Sequence, residues 1–269
     1  MPVAALRGQR ICFQDTGGKG LPVVLSHGFL MDGDMFASQV HALRARHRVV
    51  TWDQRGHGGT ESTEGPYSYW DSAADLAALL DHLGIERAVL GGMSQGGFVS
   101  LRFALSYPER TAGLILIDTQ AGTEDPEKSL QYDMMHEVWV GSGPNAQLLE
   151  MVAAIIVGNQ RPESAEWIAR WNRIDPRGLT RIYRTLMDRD DITDRLGEIT
   201  APALVIHGAE DVAIDMSLAE TMCRGLRGCE GVVRIEGAGH SSNVTHPEPV
   251  NRAIESFLTR IESAAAHST

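Results

Sequence analysis

A chain of 269 residues, 43% hydrophobic and 22% charged, is long enough to bury one sizeable core with room for an insertion, and needs no staples to do so. Its formal net charge of -11 argues against nucleic acid as a partner, since phosphate binding wants a basic face. It also disfavours a strongly anionic substrate unless a local basic pocket reverses the sign.

No apolar run approaches the ~18 residues of a membrane span. The opening stretch Met1 to Arg10 has too short an apolar run for a signal peptide, so a cytoplasmic protein without a membrane partner is expected. Cys12, Cys223 and Cys229 form neither a disulfide framework nor a zinc-ligand pattern, and read as thiols in a reducing compartment. No ligand cluster or phosphate-cradling loop stands out, so neither a metal nor an organic cofactor is expected.

In chain order, residues 22–27, 48–52, 87–91 and 113–118 are short runs, apolar on both faces, as strands of a covered parallel sheet are. Between them, residues 74–83 place Leu76, Leu79, Leu80 and Leu83 at helical spacing, with Gly84 where a C-terminal glycine belongs. Residues 95–106 form a second helical stretch, ended by Tyr107-Pro108. Strand, helix, strand is the signature of an α/β sheet.

From 119 to 193 the rhythm changes. Helical patterns at 130–140, 146–157 and 163–172 follow one another, punctuated by Pro126, Pro144 and Pro162. Strand signals return at 203–207 and 232–235, and a helix over 249–261 closes the chain. The expected fold class is α/β: a mostly parallel central sheet flanked by helices, with a helical cap insertion. The core would span 1–118 and 194–269, and the cap 119–193.

Gly92-Met93-Ser94-Gln95-Gly96 matches G-x-S-x-G and lies between a strand-like and a helix-like run. A serine at so tight a turn has a strained backbone and presents its hydroxyl away from the sheet, and the flanking glycines avoid clashes with neighbouring backbone. A serine hydroxyl needs a base within reach. Of ten histidines, His240 is favoured because the glycine-rich loop Gly237-Ala238-Gly239-His240 follows the last strand, where open α/β sheets bind ligands. The acid that orients it is either Asp211, past one strand, or Asp118, at the end of another.

These residues resemble those of the α/β-hydrolase fold superfamily, and the likeness runs over nearly the whole chain. His27-Gly28-Phe29 resembles the family's oxyanion loop, and Asp53-Gln54-Arg55-Gly56-His57-Gly58 its D-x-R-G-H-G loop. His207-Gly208-Ala209-Glu210-Asp211 resembles the acid-bearing H-G-x-x-D, and the His240 segment, followed by Pro247-Glu248-Pro249, the histidine loop. The resemblance implies Ser94 as nucleophile, Asp211 as acid and His240 as base, in that order. It implies an oxyanion hole from the backbone N–H groups of Phe29 and Gln95, and loop-shaping roles for His27 and His57.

The expected activity is a serine hydrolase cleaving a small-molecule carboxylic ester or lactone through an acyl-enzyme. A carbon–carbon bond hydrolase or a cofactor-free perhydrolase would use the same residues, and a hydrolase-derived ligand receptor with slow turnover belongs to a different class. Haloalkane dehalogenases and epoxide hydrolases are disfavoured, because they need an aspartate where Ser94 stands. The insertion is rich in large apolar side chains, Met135, Trp139 and Trp167 among them. Most of these hold helices together, and Trp139 and Met93 are the candidates for substrate contact. Arg177, Arg181 and Arg184 share one helix face. They read as a solvated face paired with Asp188, Asp190 and Asp191, with a substrate-carboxylate site as the alternative. The sequence leaves the oligomeric state and the specific substrate open.

Overall fold

A computed structural model describes residues 1–62, 64–158 and 161–266. The first half runs β1 (Val3–Leu6), β2 (Gln9–Asp15), β3 (Pro22–Ser26), α1 (Ala37–Leu43), β4 (Arg48–Trp52), α2 (Tyr69–His82), β5 (Ala88–Met93), α3 (Gln95–Ser106) and β6 (Thr111–Ile117). Next come α4 (Pro126–Ser142), α5 (Ala146–Ile156), α6 (Ser164–Trp171) and α7 (Pro176–Met187), with no intervening strand among the described residues. The chain finishes with β7 (Pro202–Gly208), α8 (Met216–Gly225), β8 (Gly228–Ile235), α9 (Ser242–Thr245) and α10 (Pro247–Ala266).

The strands form one sheet in the order β1-β2-β4-β3-β5-β6-β7-β8. It is parallel from β4 to β8, while β2 joins β4 antiparallel and β1 joins β2 antiparallel. The apolar runs read as strands are β3 to β8. Their lack of polar alternation has a direct cause: Val24, Leu90, Leu114 and Leu116 face one core layer with α2 and α3, and Val23, Leu25, Val89, Ile115 and Ile117 face the other with α10. Both faces are covered from β3 to β7, so both are apolar there, whereas β8 at the sheet edge is half-exposed.

Helix α2 begins earlier than its leucine pattern, because Ser68 and Asp71 close a capping box that satisfies the first N–H groups. It ends at His82, and Gly84 just beyond takes φ +64°. Asp125, Asn145 and Asp175 cap α4, α5 and α7 more simply, each side chain accepting backbone N–H groups of the first turn. The β1–β2 hairpin and α1 are too short, and too mixed in polarity, to show a period in the sequence.

The cysteines depart from the expectation of free thiols. Cys223 on α8 and Cys229 on β8 are disulfide-bonded, and Cys12 is a buried free thiol. The tight turn from α8 into β8 brings the two Cα atoms to 5.4 Å, within disulfide reach, and a spacing of this kind carries no signal before the turn is known. Among the described residues no helix is long and apolar enough to cross a membrane.

Candidate active site

Ser94 sits between β5 and α3 with φ +51° and ψ -118°, a strained conformation for a residue with a side chain. Its N–H donates to Ile117 O at 2.9 Å, and its own carbonyl accepts from Gly97 N at 2.8 Å and from the Thr119 hydroxyl at 2.7 Å. The motif's glycines are required by contact: a Cβ on Gly92 would overlap the Gly96 carbonyl, and one on Gly96 would overlap that of Ser26.

His240 lies in the loop after β8 and Asp211 in the loop after β7. The Ser94 hydroxyl meets His240 Nε2 at 3.0 Å, and His240 Nδ1 meets Asp211 Oδ2 at 2.9 Å. The other oxygen of Asp211 accepts from the backbone N–H groups of Ala213 and Ile214 at 2.8 and 3.0 Å, which fixes the carboxylate. With Nδ1–H given to Asp211, Nε2 is the acceptor for the serine proton. Burial opposes charge on both groups; nevertheless the Asp211 carboxylate lifts His240 above its ordinary pKa, and His240 holds Asp211 below its own. A hydroxyl, an imidazole and a carboxylate so joined can move a proton off the hydroxyl as it attacks a carbonyl.

Asp118 does not touch His240. Its Oδ1 accepts from Gly208 N at 2.8 Å, and its Oδ2 accepts from the N–H and hydroxyl of Ser242 at 2.9 and 2.7 Å. Burial, reinforced by the Asp211 charge, pushes its carboxyl up to about 7. Asp118, His207 and Asp211 bring ligand-type atoms within 4.8 Å of one another. The two carboxylates, however, are already committed to backbone N–H groups, Ser242 and His240.

His27 and His57 serve the loops. His27 Nε2 accepts from Gln54 N at 2.9 Å, its Nδ1–H donates to Gly28 O at 2.8 Å, and its ring lies 4.8 Å from that of His57. Burial pushes His27 down to about 4; burial and His27 push His57 down to about 3. Asp53 ties the same region by accepting from Gly33 N and Gly59 N at 2.9 and 2.8 Å. The backbone N–H groups of Phe29 and Gln95 donate to no acceptor among the described residues. The Gln95 side chain turns away to accept from the Tyr69 hydroxyl at 3.1 Å.

A sequence model of the alpha/beta hydrolase fold matches residues 22–247. The chain belongs to that family. Among solved structures, a thermophilic esterase from Thermogutta terrifontis is 32% identical, with TM-score 0.86 over 96% of this chain and 97% of that one. The enol-lactonase from Burkholderia xenovorans is 27% identical, with TM-score 0.86 over 96% of this chain and 100% of that one. A Caulobacter sp. protein named "Putative carbamate hydrolase RutD" is 30% identical over 244 residues, covering 88% of this chain and 90% of that one.

In this α/β hydrolase a cavity of about 880 Å³, mouth included, opens over Ser94 and His240. Met93 and Trp139, the sequence's candidates for substrate contact, both line it. So do Phe29, Ile155 and Leu179, and the wall is mainly apolar. Three of the four helices between β6 and β7, namely α4, α5 and α7, supply much of it. Arg177, Arg181 and Arg184 do not line the cavity, which removes the carboxylate-site alternative. The expected pairing with neighbouring aspartates also fails. Asp190 instead binds Arg102 at 2.7 Å, and Arg181 reaches the Ser62 hydroxyl at 3.4 Å. Sequence reasoning missed Glu124, Tyr132, His136 and Tyr183, which line the cavity. The signal was present on α4, where 132, 135, 136 and 139 fall on one helical face.

Proposed function

We propose that this chain is a serine hydrolase that cleaves a carboxylic ester or lactone through an acyl-enzyme on Ser94. The observation that carries the reading is the relay from Ser94 Oγ to His240 Nε2 at 3.0 Å and from His240 Nδ1 to Asp211 at 2.9 Å. Ser94 attacks the carbonyl while His240 takes its proton, and Asp211 holds the imidazole in the right tautomer and compensates the imidazolium. The tetrahedral oxyanion is received by the backbone N–H groups of Phe29 and Gln95, at the start of α3. His240 returns the proton to the leaving alcohol, and water then attacks the acyl-enzyme by the same path.

Family membership and the similarity to an esterase and an enol-lactonase support the carbonyl class. Residues 119–193 act as a cap, whose helices build the substrate wall above Ser94. Hydrolysis of p-nitrophenyl acetate, butyrate and octanoate by wild type and Ser94→Ala tests the reading. Turnover that disappears in Ser94→Ala is expected, together with a burst of p-nitrophenol from the acyl-enzyme. Undiminished turnover in Ser94→Ala would overturn it. The same attack applies to a carbamate carbonyl, the class in the Caulobacter relative's name, so a p-nitrophenyl carbamate belongs in the panel.

A further inference from the structure

The wall that α4 contributes is unusual in what its polar groups leave free. Tyr132, Met135, His136 and Trp139 form its inner stripe and all line the cavity, while Leu130, Met134 and Val138 on the other side are exposed. Most polar side chains of the wall are engaged elsewhere. Glu124 pairs with Arg189 at 2.6 Å, His136 meets the Thr180 hydroxyl at 3.1 Å, and the Tyr183 hydroxyl donates to Asp133 at 2.8 Å. Ser94 and His240 bind each other. Tyr132, half-buried in the wall, makes no side-chain hydrogen bond among the described residues, and the buried Trp139 Nε1–H lacks an acceptor there. Burial, with the nearby charges of Glu124 and Asp211, pushes the Tyr132 phenol up to about 12, so it remains a donor throughout the neutral range.

Among the described residues the wall offers no uncommitted cation, and its one ion pair, Glu124 with Arg189, is already closed. No lysine or arginine among the described residues lines the cavity, whereas Glu124 does. The side chain of Arg189, its partner, is 1% exposed and also donates to the carbonyls of Gly122 and Leu186. A carboxylate brought in with the substrate would lose its hydration and meet no unpaired cation among the described residues. A neutral carbonyl or ether oxygen would instead gain the donor that Tyr132 holds ready.

We infer that the site, on the ester or lactone reading above, selects uncharged substrates whose apolar body carries a second acceptor oxygen held by the Tyr132 hydroxyl, and rejects those with a free carboxylate. Tyr132 is thus a specificity-determining residue.

Methyl hexanoate, methyl 3-oxohexanoate and monomethyl adipate share a chain length and differ in this feature. Their hydrolysis is to be followed in a pH-stat with wild type, Ser94→Ala and Tyr132→Phe. In wild type, kcat/KM for the 3-oxo ester should exceed that for the plain ester, and the adipate monoester should fall about 100-fold below it. Tyr132→Phe should lower the ratio of 3-oxo to plain ester about tenfold, chiefly through KM. A ratio unchanged by Tyr132→Phe, or a wild type without preference for the 3-oxo ester, overturns the donor role. Adipate monoester turned over as fast as methyl hexanoate overturns the exclusion of carboxylates. Either failure leaves Ser94-dependent hydrolysis intact; loss of that hydrolysis for every ester would bring down the serine-hydrolase reading itself, and this inference with it. If Tyr132→Phe does not fold, Tyr132→Leu carries the same comparison of ratios, because the 3-oxo ester is intrinsically more reactive and the wild-type ratios alone decide only the exclusion of carboxylates.

Discussion

The carboxylate of Asp118 grips Ser242 twice, accepting its backbone N–H at 2.9 Å and its hydroxyl at 2.7 Å. Its other oxygen holds Gly208 N at 2.8 Å. One buried side chain thus ties the end of β7, which leads to Asp211, to the segment just after His240. Asp118→Ala leaves three buried donors without an acceptor and should cost about 3 kcal/mol of stability, read by urea unfolding.

The same geometry separates the two aspartates in turnover. Asp211→Asn removes the partner of His240 Nδ1 and should lower kcat on p-nitrophenyl butyrate by roughly 10⁴-fold. Asp118→Asn should lower it far less, because Asp118 acts through loop position. Equal losses in the two folded variants would show that Asp118 shares the work of the acid.

The base must be neutral to accept the serine proton, so kcat/KM should rise with pH through the ionisation of His240. Asp211 holds that ionisation above the ordinary 6.5, and the midpoint of the pH–rate profile should lie above it. Asp211→Asn takes the carboxylate away and should move the midpoint to lower pH. A wild-type midpoint below 6.5 would contradict the coupling.

His27 and His57 are buried neutral, with pKa pushed from 6.5 down to about 4 and about 3. Groups whose folded pKa is depressed add stability that is complete above the unfolded value and is lost as pH falls through the folded one. The Tm should therefore decline as pH drops from 6.5 toward 4. His57→Gln should start from a lower Tm at neutral pH yet decline less steeply, while keeping turnover that His240→Ala abolishes. Parallel Tm curves for wild type and His57→Gln would remove His57 from the acid response.

Gln95 contributes to the proposed oxyanion hole through its backbone, and its side chain is spent on Tyr69. Gln95→Ala should keep kcat within about threefold while costing about 1–2 kcal/mol for the orphaned Tyr69 hydroxyl. Collapse of turnover in a folded Gln95→Ala protein would assign the side chain a direct part in the chemistry.

The sequence by itself determined the parallel core and the places where Ser94, Asp211 and His240 stand along the chain. Strands buried on both faces are uniformly apolar, and a tight strand-to-helix turn needs glycine on both sides of the serine, so each leaves a local pattern. What touches what is not local. Asp118 and Asp211 both follow strands, and only the family resemblance favours Asp211, until the pairing of β6, β7 and β8 sets one against His240 and the other against Ser242. The Cys223–Cys229 bond depends on how α8 turns into β8. The free hydroxyl of Tyr132 was likewise decided only in three dimensions, because a donor's freedom depends on partners that distant segments supply or withhold.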